Sequence, residues 1–383
     1  MNPPRLLAGR NLSAGPESFA EHTARLGQLL SRGPELIETL VHSGLSGRGG
    51  AAFPVGHKWR AAVARFKGSG IVVVNGAEGE PRSKKDSLLM ATRPHLVLDG
   101  AVLAAQALQA REIVLYVGEE HQAARIAMER AVAERSEGER RLMRMTSAPA
   151  RYVAGESSAA VHLVTSGVAL PTTTPAAPAL VQNVETLAHV ALIARFGQDS
   201  ATVLVTVAGG VTHPGVLEME TSATVGSAVT LAGGVIEPAR AILLGGYFGT
   251  WMGVDDAWGL PLDPAALRER GLSLGCGVIG VQPRSRCAVC ETAGILRYLA
   301  RESSAQCGPC FFGLRALADA CSRIAGSGTN ADDLHRLERW AVEVRGRGAC
   351  KHPDGAVMFL QSALRTFAPE FAHHAAHDSR RTA

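Results

Sequence analysis

Two groups of residues in this 383-residue chain carry more chemistry than a packed core needs. The first is the run Gly47-Arg48-Gly49-Gly50-Ala51-Ala52-Phe53-Pro54-Val55-Gly56-His57-Lys58-Trp59. Closely spaced glycines let successive backbone N–H groups turn toward one anion, and Arg48 and Lys58 supply positive charge, so the run suits a phosphate. Taken alone it is also an ordinary turn ahead of a helix. The second group is the cysteines, Cys276, Cys287, Cys290, Cys307, Cys310, Cys321 and Cys350, all in the last third of the chain. In a protein that is not exported, such crowding favours metal over disulfides. Cys307-Gly308-Pro309-Cys310 and Cys287-Ala288-Val289-Cys290 are two C-x2-C pairs, and C-G-P-C by itself also resembles a redox dithiol. Cys321 falls on an apolar helical face and reads as core. A separate metal site on Cys287, Cys290 and Cys276 is an alternative, although no histidine lies at ligand spacing from either pair, and His352 reads as a surface residue.

Composition narrows the classes. The charge balance is +4 with 19% charged residues, evenly spread, which excludes nucleic acid as the expected partner. Met1 to Ser18 lacks the basic start and apolar run of a secretory signal, so a cytoplasmic location is expected. The uncharged stretch from Ser157 to Val184 is long enough for a membrane span but contains Pro171, Pro175 and Pro178, so it is expected to be a loop, with no direct membrane insertion.

The elements that must position these groups fall into a series. Up to residue 200, short Val/Ile runs alternate with amphipathic segments: Ile71–Val74, Leu88–Ala110, Glu112–Val117, Glu119–Arg135. This rhythm predicts an α/β domain with a mostly parallel sheet over residues 1–200. Val203–Val207, the Gly209-Gly210 turn, Gly215–Met219 and Ala241–Leu244 predict a small β-rich module over 201–275. Helical periodicity then governs 276–372, through Ala293–Ala300, Leu314–Ile324 and Asp332–Val344, with cysteines at the helix boundaries. The polar, His-rich stretch 373–383 is expected to be a disordered tail. No G-x-G-x-x-G follows the first strand, which excludes an ordinary doubly wound dinucleotide dehydrogenase.

After the first Val-rich strand come Asn75-Gly76-Ala77-Glu78-Gly79-Glu80-Pro81 and Lys84-Lys85-Asp86, where ligands gather at carboxyl strand ends. Together with the glycine run these resemble the flavin mononucleotide (FMN) site of the NADH-binding flavin subunit of bacterial complex I and of related hydrogenase and formate dehydrogenase diaphorases. Tyr152-Val153-Ala154-Gly155-Glu156-Ser157 and Val181-Gln182-Asn183-Val184-Glu185-Thr186-Leu187 extend the resemblance, which covers about residues 35–372. It implies an FMN-binding α/β sandwich, a β-grasp-like (ubiquitin-like) module and a helical iron-sulfur domain. It further implies FMN contacts at Gly47, Arg48, Gly49, Lys58, Asn75, Glu78, Gly79, Tyr152, Gly155, Glu156, Asn183 and Thr186, and NAD contacts at Phe53 and Glu80. Glu302-Ser303-Ser304-Ala305-Gln306-Cys307-Gly308-Pro309-Cys310 resembles the family's E-S-C-G-Q-C-T-P-C, and Cys350 falls where its distant fourth cysteine lies. The resemblance thus implies a 4Fe-4S cluster on Cys307, Cys310 and Cys350, with Ser304 at the remaining ligand position. Whether that cluster uses the Ser304 oxygen, borrows Cys290 or Cys287, loses an iron or is missing stays open.

The chain departs from the pattern where the nicotinamide cofactor would lie. Ala61 replaces a phenylalanine, Ser157 replaces the second acid of the G-E-E block, Ala77 replaces an acid between Asn75 and Glu78, and the Pro171–Pro178 loop is shortened. Three functional expectations follow from the resemblance and these departures. One is an electron-transfer oxidoreductase subunit in which FMN takes electrons from NADH and passes them singly to the cluster. Another is the same relay fed by a ferredoxin-like partner, with NAD binding lost. The third is a cofactor-poor scaffold that binds a partner. The first two would work beside other electron-transfer subunits, as a peripheral part of a membrane complex.

Overall fold

The computed structural model describes residues 5–174, 177–198, 201–326 and 332–377. The described chain divides into two compact units, Met1–Thr206 with Val216–Thr221, and Val207–Gly215 with Ser222–Ala383.

In the first unit, β-branched runs become strands and the segments between them return the chain as helices over the sheet. Helices α1 (Phe19–Leu26), α2 (Glu35–His42) and α3 (Val55–Phe66) come first. Strand β1 (Ile71–Gly76) leads to α4 (Lys85–Thr92) and α5 (Pro94–Leu108), and β2 (Glu112–Gly118) to α6 (Gln122–Ala133) and α7 (Glu137–Leu142). Strand β3 (Met143–Ala148) precedes α8 (Ser157–Ser166), and β4 (Ala179–Asn183) precedes α9 (Val184–Phe196). The sheet order is β3-β2-β1-β4, with β2 and β4 both parallel to the central β1 and β3 parallel to β2. Ile71, Val72, Val73 and Val74 are buried, as a strand covered on both faces requires.

Two sequence expectations need correction here. Leu88–Ala110 is not one helix: α4 and α5 meet at Arg93-Pro94 with a 96° bend. Proline lacks an N–H and excludes its predecessor from the helical region, and Arg93 sits at φ −130°, ψ 50°. Arg93 is wholly buried, and its guanidinium donates to the carbonyls of Leu7 (2.8 Å), Ala8 (3.0 Å), Thr92 (2.8 Å) and Arg10. Nor is Ser157–Val184 all loop. Glu156 accepts from the Ala159 N–H at 2.9 Å and caps α8, and β4 is a strand of the sheet. Pro171 and Pro178 do lie outside helix and strand, whereas Pro175 is outside the described residues. Among the described residues no single helix is long and apolar enough to cross a membrane.

The chain continues through β5 (Thr202–Gly209), β6 (Gly215–Glu220), α10 (Val225–Leu231), β7 (Ala239–Leu244), β8 (Thr250–Gly253), α11 (Val254–Trp258), α12 (Pro264–Glu269) and β9 (Val278–Pro283). In the second unit β7 lies between β8 and β9, antiparallel to both, with Leu243 facing Trp251 on one side and Gly280 on the other. The helical end comprises α13 (Ala288–Glu302), α14 (Arg315–Ala325), α15 (Asp333–Val344), α16 (His352–Thr366) and α17 (Ala368–His377). Residues 373–377, expected to be tail, continue α17, because His374 is held by the carbonyl of Ile324 at 3.2 Å. His352, expected at the surface, is buried: it bonds the Leu299 carbonyl at 2.8 Å and sits edge-on to Phe248.

Helices α5 and α9 press together at Gly100, where a Cβ would lie 2.0 Å from the Leu187 carbonyl oxygen. Gly100→Ala must push the helices apart and is expected to cost about 3 kcal/mol, the upper range for overpacking. Gly138 in α7 has nothing within 4 Å of a Cβ. Gly138→Ala should therefore be neutral or stabilising by up to about 1 kcal/mol. Denaturant midpoints of the two variants against the parent decide the matter.

Candidate functional site

In the first unit, the glycine run, the Asn75–Glu80 block and the Asn183–Thr186 block meet at the carboxyl ends of β1 and β4. Between α2 and α3 the glycine run closes as a loop, with Gly47 N–H bonded to the Phe53 carbonyl at 2.9 Å. Gly49 lies so close to the end of β4 that a Cβ there would be 3.1 Å from Asn183 Cβ. Gly50 takes φ +99°, the left-handed region that glycine enters without cost. The Arg48 N–H donates to Thr186 Oγ1 at 2.9 Å, which fastens the loop to the first turn of α9. Two of the amides that the spacing offered to an anion are therefore used within the protein.

Arg48 likewise has partners inside the protein. Its buried guanidinium donates to Ser46 O (3.3 Å), Ser46 Oγ (3.1 Å) and Thr202 O (3.4 Å), and it lies 3.8 Å from Glu185. Lys58 is different. Its ammonium donates to the Val181 carbonyl near the end of β4, and among the described residues no carboxylate pairs with it. Burial, with Arg65 adding repulsion, brings its pKa down to about 8. A half-buried cation without an acid, beside glycines pressed against a strand end, is a site short of one anion, which a phosphate group fits.

The acidic strand end is largely self-satisfied. Glu78, itself at φ +42°, accepts from Ser83 Oγ (2.7 Å), Asp86 N–H (2.8 Å) and Ser87 N–H (2.8 Å), so it caps α4. Asn75 donates to the Gly155 carbonyl at 3.0 Å, and a Cβ at Gly79 would sit 3.1 Å from the carbonyl of Tyr152. Tyr152 in turn donates to Glu80 at 3.3 Å. Asn183 caps α9 through Glu185 N–H (3.0 Å) and donates to Asp86 at 2.7 Å. Phe53 stands 55% exposed at the loop, while Ala61 and Ser157 are exposed small residues that offer no ring or charge.

Sequence reasoning passed over the group beneath this surface. Lys85 Nζ lies 2.7 Å from both Asp86 and Glu185, all three buried. Burial raises Asp86 to about 7, aided by Glu78 and Glu185 and opposed by Lys85. Burial acts likewise on Glu185, but Lys85, His189 and Arg48 outweigh it and hold that carboxyl at about 2. Adjacent Lys-Asp at a helix start with an acid just after another strand of the sheet was the available signal.

In the second unit, Cys307 and Cys310 bracket the entry to a π-helical turn, Pro309–Leu314, with Cys310 N–H bonded to the Cys307 carbonyl at 3.1 Å. Burial pushes the Cys310 thiol up to about 12, and the neighbouring Cys307 and Cys350 sulfurs push it further in the same direction. Three thiols thus crowd one place. A buried thiol held protonated beside two others is what bound iron would deprotonate. Ser303 donates its hydroxyl to the Ala300 carbonyl at 2.9 Å, and it acts against the upward push on the Cys310 thiol. Ser304 is half-buried just before Ala305, which takes φ +52°. Cys321 is core, as expected.

Three family models match in series: the Nuo51 FMN-binding domain over residues 40–192, the SLBB domain over 204–249 and the NADH-ubiquinone oxidoreductase-F iron-sulfur binding region over 282–374. The chain is 28% identical over 373 residues to an NADH-quinone oxidoreductase subunit of Rhizobium meliloti, covering 89% of this chain and 88% of that one. It is 26% identical over 372 residues to the mitochondrial NADH dehydrogenase [ubiquinone] flavoprotein 1 of Dictyostelium discoideum, covering 88% and 78%. Among solved structures, a chain of an air-oxidized NAD+-reducing [NiFe]-hydrogenase aligns at a TM-score of 0.78 and 26% identity over 89% of this chain, which spans 63% of the hydrogenase chain.

The Lys58 geometry predicts a pH dependence for the capture of FMN. With the pKa at about 8 before binding and a phosphate raising it on binding, both states carry the proton below pH 8 and affinity is full. Above it the ligand-free ammonium is lost, so binding must take up a proton. Affinity should then fall up to about tenfold per pH unit. Lys58→Met should weaken FMN binding and flatten the profile, read by flavin fluorescence titration from about pH 6.5 to about pH 9.5, a window that brackets the Lys58 titration.

Proposed function

We propose that the chain belongs to the family of complex I flavin subunits and related diaphorases, as a cytoplasmic electron-transfer subunit holding FMN in the first unit and an iron-sulfur cluster in the second. The observation that supports this most directly is Lys58, a half-buried ammonium whose partner among the described residues is the Val181 carbonyl, beside the Gly49–Asn183 contact. When bound, FMN supplies the ability to accept an electron pair and release it one electron at a time. The chain's own residues do the rest. Lys58 would neutralise the phosphate, Gly49 keeps the β4 end open to a close backbone approach, and Asn75, Gly155 and Asn183 fix the polar strand ends around it. Cys307, Cys310 and Cys350 would hold the cluster, with Ser303 or Ser304 supplying oxygen where the resemblance expects a fourth cysteine.

The donor is NADH in one reading and a ferredoxin-like protein in another. The second is favoured by Ala61 and Ser157, exposed positions without the aromatic ring and the acid expected there, which leave Phe53 to pack an adenine or nicotinamide face. Anaerobic mixing of flavin-loaded protein with NADH distinguishes the readings: bleaching within seconds marks NADH as donor, whereas bleaching only with reduced ferredoxin marks the protein donor. If NADH is the donor, Ala61→Phe should lower the concentration for half-maximal bleaching about two- to tenfold, the worth of one added aromatic contact. Protein with neither flavin nor iron absorption after reconstitution would refute the relay and favour a scaffold.

A further inference from the structure

The second C-x2-C pair has a histidine after all, brought to it by the fold from 87 residues away. Cys287 is the N-cap of α13, and its Sγ accepts from the Cys290 N–H at 3.2 Å. His374 Nε2 lies 3.6 Å from Cys287 Sγ. On the same face of α17, one turn earlier, is Glu370, and the ligand atoms of Cys287, Glu370 and His374 all fall within 4.8 Å of one another. Cys290 Sγ falls outside that three-residue span; it lies 3.9 Å from the Ala325 carbonyl, whose neighbour in the chain is the Ile324 carbonyl that His374 uses.

The surroundings orient these groups as ligands rather than as packing. The Ile324 carbonyl can only accept, so His374 Nδ1 carries the proton and Nε2 turns a lone pair toward the sulfur. A carbonyl that fixes the tautomer in this way is the usual support of a metal-bound imidazole. Glu370 is fixed as well: one oxygen accepts from the Ala288 N–H at 2.8 Å and the other from Arg240, whose guanidinium is anchored on the Arg284 carbonyl at 2.9 Å. Two thiolates, one carboxylate and a neutral imidazole around a divalent cation leave one negative charge, and Arg240 balances it.

We propose that Cys287, Cys290, His374 and Glu370 form a tetrahedral site for a zinc ion, distinct from the cysteines assigned to the iron-sulfur cluster. Mixed sulfur and nitrogen donors at four-fold coordination select zinc over harder cations. On binding, the two thiols give up their protons to solvent and the ion's charge replaces them, with no change of oxidation state. The site would pin α17, the last described helix, to the start of α13 and the end of α14.

Metal analysis of the full-length protein purified from zinc-supplemented cells tests this, with X-ray absorption at the zinc edge as the structural readout. The expected result is about one zinc per chain with sulfur at about 2.3 Å and nitrogen or oxygen near about 2.0–2.1 Å. Cys287→Ser with Cys290→Ser should abolish the zinc while leaving iron and flavin content unchanged. His374→Gln, whose amide can still donate to the Ile324 carbonyl, should lower zinc retention against a chelator at least about tenfold, with the fold intact by circular dichroism. Protein that binds no zinc at micromolar concentration, or whose zinc is indifferent to His374→Gln and the double serine variant, would overturn the proposal. So would zinc lost together with iron on Cys310→Ser alone.

Discussion

Lys85 is the residue on which the first unit's ligand face depends. A buried ammonium is tolerable only with its charge matched, and here Asp86 and Glu185 match it at 2.7 Å each. The two partners stand at the starts of different elements. Asp86 lies in the first turn of α4 and receives the Asn183 side chain; Glu185 lies in the first turn of α9, receives the Leu204 N–H at 2.8 Å and attracts Arg48. One cation thus fixes the starts of two helices, the end of β4 and, through Arg48, the glycine loop. The spacing of Gly49 from Asn183 is a by-product of that network, and it explains why Arg48 is turned inward toward Glu185.

The motif-bearing part of this arrangement was legible in the sequence because it is local. Gly47 to Lys58, Asn75 to Glu80, Tyr152 to Glu156 and Asn183 to Thr186 are contiguous blocks, and the β-then-α rhythm sets the second and fourth at the ends of neighbouring parallel strands. Roles within the blocks were less legible, since side chains that the resemblance implies as ligand contacts also satisfy helix ends. Glu78 caps α4 and Asn183 caps α9, and nothing in composition distinguishes a cap from a ligand contact. Proline misled in both directions. Pro171, Pro175 and Pro178 hid α8, which ends before them, while the single Pro94 hid a sharp elbow inside an apolar run.

Contacts distant in sequence were out of reach altogether. His352 sits two residues after a cysteine in a polar stretch, yet α13 and Phe248 enclose it. His374 lies in a run that reads as a frayed end, and only the packing of α17 brings it to Cys287. The helical end thereby holds two sulfur groups of different character. Around Cys310 burial dominates and the thiols crowd one another; around Cys287 a histidine and a carboxylate are already oriented from outside the pair.

Arg93 makes the irregular amino-terminal stretch part of the architecture. Its guanidinium, sealed at the elbow between α4 and α5, has as its oxygen partners the backbone of Leu7, Ala8 and Arg10 together with Thr92. The early residues therefore act as the solvation shell of an interior ion. Trimming the chain back to its first regular helix would remove three of those four acceptors and strand a desolvated cation at the bend between α4 and α5, so a shortened version would forfeit far more than a few surface residues.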